Sequence, residues 1–205
     1  MTLRTPVAAA VAALLLFTGC TAEPALDPVV EPTPNPTSLT QLAAQKKAAE
    51  IEDCPTSNAD AAPVTNGLPD VVLACLGGGR EVHLAGLRGR PMMINIWAQW
   101  CPPCREEAPA ISEVAMLNTS ELTILGIDYA DPRPDDALLF AELSAWRFPQ
   151  LVDADKQLQS PLQIKGPPQT FFVRADGTIA YRHSGPFRSA DQIRQVAKKY
   201  LGVTL

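Results

Sequence analysis

The chain has 205 residues, 46% of them hydrophobic, which suits one globular domain with additional sequence at an end. Its net charge of −5, with two histidines and no basic run, gives no sign of nucleic acid as a partner.

The first 19 residues follow a secretory pattern. Arg4 is followed by an apolar stretch from Val7 to Phe17, too short to span a bilayer, and then Thr18-Gly19-Cys20. Residues 1–19 are expected to be a signal peptide. Cys20 after a small residue resembles a bacterial lipobox, in which the cysteine is diacylated and becomes the mature N-terminus. Phe17 departs from that pattern, standing where leucine is usual, and ordinary cleavage nearby or a retained anchor are the alternatives.

Residues 20–62 are expected to be a lipid-anchored tether with a short helical segment. Thr21 to Thr37 contain Pro24, Pro28, Pro32, Pro34 and Pro36, an extended composition reaching about 50 Å at ~3.1 Å per residue. Ser38 to Asp53, richer in Ala, Gln and Lys, predicts a short helix without a strong apolar stripe, standing outside the core.

Residues 63–205 read as one α/β domain. Val71–Leu76, the Gly77-Gly78-Gly79 turn and Glu81–Leu84 predict an opening hairpin. Met92–Trp97 is a buried strand, Arg105–Leu117 repeats apolar residues at helical spacing, and Leu122–Ile127 is a second apolar strand, together a βαβ unit. Asp135–Trp146 predicts a helix. Thr170–Arg174, the Asp176-Gly177 turn and Thr178–Arg182 predict a hairpin. A final helix starts at Ser189, with Gln192 completing a capping box, and ends at Gly202.

Between the first buried strand and its helix lies Trp97-Ala98-Gln99-Trp100-Cys101-Pro102-Pro103-Cys104. At a helix start, unpaired N–H groups and the positive end of the helix dipole favour a thiolate at Cys101, the nucleophile of thiol-disulfide exchange. Cys104, one turn on, is the candidate resolving thiol. The two intervening prolines cost the first helical turn little. A zinc site needs about four ligands, and no second Cys-x-x-Cys or His pair accompanies this one. His83 and His183 read as surface residues rather than ligands.

At these residues the chain resembles the TlpA/ResA group of thioredoxin-fold thiol-disulfide oxidoreductases, which are membrane-tethered or secreted bacterial proteins. Pro109 falls where such proteins kink the active-site helix, and Gly166-Pro167-Pro168-Gln169-Thr170-Phe171-Phe172-Val173 is similar to their cis-proline loop and following strand. The resemblance implies a thioredoxin fold: a central mixed β-sheet flanked by helices, here with an N-terminal β-hairpin extension. It assigns Pro168 as the cis residue shaping a substrate groove, the alternative being an ordinary trans turn. Pro167 before it has a carbonyl but no N–H for a bound peptide. Asn95 stands where thioredoxins keep a buried aspartate, and it cannot take a proton. Glu107 occupies the place of a glutamate in ResA-like proteins, as a proton acceptor for the thiols or, alternatively, a solvated carboxylate near a helix start. Trp97 is expected to pack, and Trp100 to contact substrate.

If Cys20 carries lipid and Cys101 pairs with Cys104, Cys54 and Cys75 remain. An oxidising compartment permits a structural disulfide between them, fastening the tether's end to the first strand. Two unpaired thiols, or a second redox pair, are the alternatives.

The resulting expectation is an extracytoplasmic, lipid-anchored oxidoreductase acting on protein cysteines without a bound cofactor or metal. The resemblance implies a reductant role, such as keeping apocytochrome c cysteines reduced, with electrons from a membrane thiol reductase of the CcdA/DsbD kind. Rival readings are a thiol peroxidase and a copper-delivery lipoprotein on the same fold.

Overall fold

Six consecutive buried residues, Met92 to Trp97, form an interior strand of the sheet, and a strand covered on both faces has no reason to alternate polar with apolar. In chain order the elements are α1 (Leu39–Ala48), β1 (Val72–Cys75), β2 (Glu81–His83), β3 (Met92–Trp97), α2 (Pro102–Ala115), β4 (Thr123–Tyr129), α3 (Pro134–Leu143), β5 (Gln150–Asp153), β6 (Gln169–Val173), β7 (Ile179–Ser184) and α4 (Ala190–Leu201). This computed structural model describes residue 2, residues 37–117 and residues 120–205. Cys20, the rest of the expected signal segment and the proline-rich stretch up to residue 36 lie outside the described residues.

The seven strands make one mixed sheet in the order β2-β1-β5-β4-β3-β6-β7. Strands β3, β4 and β5 run parallel, and β1, β2, β6 and β7 add antiparallel pairings at the two sides. Two apolar cores result, one on each face of the sheet. Met93, Trp97 and Phe172 meet α2, α3 and α4 on one side, while Ile94, Ile96, Leu125 and Phe171 pack with Leu158 and Leu162 on the other.

Gly126 on β4 lies beside Asn95 in the register. Any side chain there would collide with the amide of Gln150 and the indole of Trp97, which are hydrogen-bonded to each other at 3.0 Å. The glycine is thus required by a close approach rather than by a turn.

Several expectations need correction. The helix expected to stand outside the core packs into it: Leu42, Ala49 and Ile51 join the cluster that contains Trp97 and Trp146. Lys46 buries its stem one turn after Leu42, so the apolar face is completed by methylenes that a hydropathy pattern does not count. Strand β5 went unread because four residues after Phe148-Pro149 carry too short a pattern. Helix α3 stops at Leu143 instead of Trp146; Ala145 adopts φ 54°, which turns Trp146 into the core, edge-on to Trp97 at 5.2 Å. At α4, Ser189 Oγ accepts from Gln192 N, but the Gln192 side chain reaches back to Arg188 N, so the capping box is shifted by one residue.

His83 is also not a surface residue. Its ring is buried, with Nδ1 3.1 Å from the Asn58 carbonyl oxygen and Nε2 2.8 Å from Asp70 Oδ1.

Candidate functional site

Strand β3 ends at Trp97, and the chain turns through Ala98, Gln99 and Trp100 before α2 begins. Cys101 is the N-cap of α2: its backbone is extended and its Sγ accepts from the Cys104 backbone N–H at 3.2 Å. Proline is admitted at the first two helical positions because no intrahelical acceptor is waiting for those N–H groups. The two cysteines are joined by a disulfide, with Cα atoms 5.3 Å apart. Cys101 is 2% exposed and Cys104 is fully enclosed. A negative charge developing on Cys101 would face the N–H groups of the first turn and the positive end of the helix.

One helical turn past Cys104, Glu107 is completely buried. Its Oε1 accepts from Asn95 Nδ2 at 2.9 Å and its Oε2 from the Phe187 backbone N–H at 3.1 Å. Burial pushes its pKa up from 4.5 to about 7, against the opposing pull of the two hydrogen bonds, so the group exchanges its proton near neutrality. The expected alternative of a solvated carboxylate is overturned, because α2 turns this position towards the sheet. Asn95 also donates to Thr170 Oγ1 at 3.1 Å, and its own side-chain oxygen has no hydrogen-bond partner among the described residues.

Thr170 and the Phe187 N–H are members of this cluster that sequence reasoning missed. Thr170 faces Asn95 only through the β3–β6 register, and a backbone N–H carries no mark in sequence.

The Pro167–Pro168 peptide bond is cis. The Pro168 carbonyl is taken by Gly185 N–H at 3.0 Å. A groove of about 330 Å³ runs beside it, lined by Pro103, Lys165, Pro167, Pro168, Ser184 and Pro186 among others. Pro103 lies between the two cysteines, so the groove adjoins the disulfide. Trp97 is fully buried, whereas Trp100 is 46% exposed, with its indole N–H donating to the Ala130 carbonyl at 3.2 Å. The next loop also holds Gln99: Asp131 Oδ2 accepts from its backbone N–H at 3.3 Å. His183 stacks on Phe187 at 4.0 Å, and burial lowers its pKa.

The second disulfide joins Cys54 to Cys75 of β1, with Cα atoms 5.9 Å apart. It fixes the segment after α1 to the sheet.

Residues 64–182 match the AhpC/TSA family, a span that includes both cysteines of the α2 disulfide, Asn95, Glu107 and the cis proline. The chain belongs to that family. Over 167 residues it is 30% identical to the thiol:disulfide interchange protein DsbE of Escherichia coli K12, covering 79% of this chain and 86% of that protein. Over 128 residues it is 33% identical to DsbE of Yersinia pestis, covering 60% of this chain and 66% of that one. A secreted Mycobacterium tuberculosis disulfide oxidoreductase homologous to E. coli DsbE superposes with a TM-score of 0.53 at 28% identity, over 60% of this chain and 91% of that structure. This AhpC/TSA member is a thioredoxin-fold thiol-disulfide oxidoreductase of the DsbE-like, TlpA/ResA-like kind.

Proposed function

We propose that this chain is a membrane-tethered, extracytoplasmic reductase of protein disulfides, with Cys101 as nucleophile and Cys104 as resolving thiol. The buried Glu107 carboxyl, one turn from Cys104 and held by Asn95, carries the reading. A carboxylate at this place works against thiolate formation, which favours the disulfide over the dithiol and makes the reduced pair a better electron donor.

In the reduced protein the Cys101 thiolate attacks a sulfur of the substrate disulfide, forming a mixed disulfide and releasing one substrate thiol. Cys104 then attacks Cys101 Sγ, the second substrate thiolate leaves, and the 101–104 disulfide closes. Glu107, titrating near 7, accepts the proton that Cys104 must lose. Substrate lies in the groove beside cis-Pro168, where Pro167 offers an acceptor and no donor, and Trp100 forms part of the docking surface.

The secretory pattern of residues 1–19 and a lipidated Cys20 support a domain held outside the cytoplasm, with the tether limited to the residues ahead of α1, since α1 and Cys54 are fastened to the domain. Its substrates are cysteine-bearing proteins, with apocytochrome c cysteines awaiting haem as the leading class. A membrane thiol reductase of the CcdA/DsbD kind restores the dithiol. The absence of a histidine between the cysteines supports this direction, and the DsbE relatives support thiol-disulfide interchange as the chemistry.

The deciding experiment is the reduction potential of the Cys101–Cys104 pair in the full chain. A value near the thioredoxin potential of about −270 mV supports a reductase, and one near the DsbA potential of about −120 mV overturns it.

A further inference from the structure

The Cys54–Cys75 disulfide has surroundings that a purely structural clip does not need. Lys46, buried on α1, directs its ammonium at Cys75 Sγ from 3.3 Å, while also bonding Asp53 Oδ1 at 2.9 Å and the Gly78 carbonyl at 3.1 Å. Cys54 Sγ lies 3.3 Å from the Gln150 carbonyl oxygen. Each sulfur therefore already faces the partner that its reduced form would require. An ammonium stabilises a thiolate, and a carbonyl oxygen accepts from a neutral thiol.

Burial does not distinguish this pair from the active one. Cys54 and Cys75 are 2% and 4% exposed, against 2% and 0% for Cys101 and Cys104. The neighbouring turn adds little cover, since Gly77, Gly78 and Gly79 carry no side chains. A Cβ on Gly79 would stand 3.6 Å from Lys46 Nζ and 3.7 Å from Cys75 Cβ, and one on Gly78 would meet nothing within 4 Å.

We propose that Cys54–Cys75 is a second thiol-disulfide exchange centre, opened by dithiols, in which Lys46 holds Cys75 as the leaving thiolate. The donor's first thiolate attacks Cys54 Sγ, the Cys54–Cys75 bond breaks, and the electron pair stays on Cys75 against the Lys46 ammonium. The donor's second thiolate then attacks its own sulfur in the mixed disulfide and leaves as the oxidised cyclic or protein disulfide. Cys54 takes one proton and donates to the Gln150 carbonyl. The balance is one dithiol oxidised, one disulfide reduced, and one proton released to solvent because Cys75 remains ionised. Opening removes the covalent link between the segment after α1 and the sheet.

The test equilibrates the full chain with graded ratios of reduced to oxidised dithiothreitol, traps thiols by acid and alkylation, and counts each cysteine pair by peptide mass spectrometry. The Cys54–Cys75 pair is expected to open while the fold stays intact by circular dichroism. In Lys46→Met the midpoint ratio should move at least tenfold towards stronger reductant, and Lys46→Arg should restore it to within threefold of the native value. A pair that opens only on unfolding, or a midpoint unmoved in Lys46→Met, overturns the proposal.

A second readout needs no variant. Among the described residues, the charged groups near the pair include Lys46, Asp53 with its neighbour Glu52, Arg80 acting on Asp53, and Glu81 opposite Ala74 in the β1–β2 register. With Cys75 as a thiolate, the equilibrium with dithiothreitol moves tenfold towards the open form per pH unit between pH 6 and 8. A flat profile means that both products are neutral thiols, and it too overturns the proposal.

Discussion

Asn95 and Glu107, on neighbouring elements of strand and helix, share a buried hydrogen bond of 2.9 Å one helical turn from Cys104. The strand position holds an amide that cannot take a proton, and the helix position holds a carboxyl whose pKa burial raises to about 7.

The first prediction concerns stability against pH. Glu107 has its folded pKa raised from 4.5 to about 7, chiefly by burial. Its contribution is fully present below pH 4.5 and is lost as pH rises through about 7, where the ionised group must be kept out of water. Each tenfold change in ionisation is about 1.4 kcal/mol, so the loss amounts to about 3 kcal/mol by pH 8. Urea unfolding of the protein with both disulfides closed should show this decline, and Glu107→Gln should make it shallower, leaving the part due to buried Asp128, even if that variant is less stable overall. An equal decline in both proteins would count against a buried titrating carboxyl.

The second concerns the rate of exchange. Glu107→Gln should lengthen the lifetime of the mixed disulfide about 100-fold at pH 7, within the usual range for a lost general base. It should also remove the inflection near pH 7 from the rate profile. Stopped-flow measurement with a fluorescent peptide disulfide reads both. An unchanged profile would mean that Cys104 loses its proton to solvent.

A third prediction is structural. Gly126→Ala sets a methyl group against the Trp97–Gln150 pair and should cost about 1–3 kcal/mol, the usual penalty for overfilling a packed interior. Denaturant titration measures it. Loss of the near-ultraviolet signal of Trp97 would locate the damage.

Trp100→Ala provides the contrasting surface case. With its indole half-exposed and holding one carbonyl, its removal should change stability by less than about 1 kcal/mol while raising KM for a protein disulfide several-fold. Reduction of a small disulfide such as oxidised glutathione should be nearly unaffected. Equal loss on both substrates would show that Trp100 supports the cysteine loop instead of docking the partner.

Much of the site was legible because its parts are local: two cysteines at a strand-to-helix junction, prolines where a helix tolerates them, and a Pro-Pro pair ahead of an apolar strand. Glu107 was identifiable by position, but its environment was not, since the faces of α2 are set by the sheet beneath. Thr170 and the Phe187 N–H come from segments more than sixty residues away, joined only by strand register and loop packing. The buried helix α1 was misread for a related reason. Its covering surface is shared among Leu42, the methylenes of Lys46, Ala49 and Ile51, a ten-residue stripe that a hydropathy pattern breaks by counting Lys46 as polar.

Pro167 has one further consequence, for release rather than capture. In the proposed docking mode, a partner strand aligned along this residue donates to its carbonyl but finds no N–H in return. It forgoes about 0.5–1.5 kcal/mol of main-chain bonding. That corresponds to a residence time shorter by a factor of about 2–10, with recognition left to shape and side chains. In a reductase of the proposed kind such a grip shortens each encounter and frees the groove sooner.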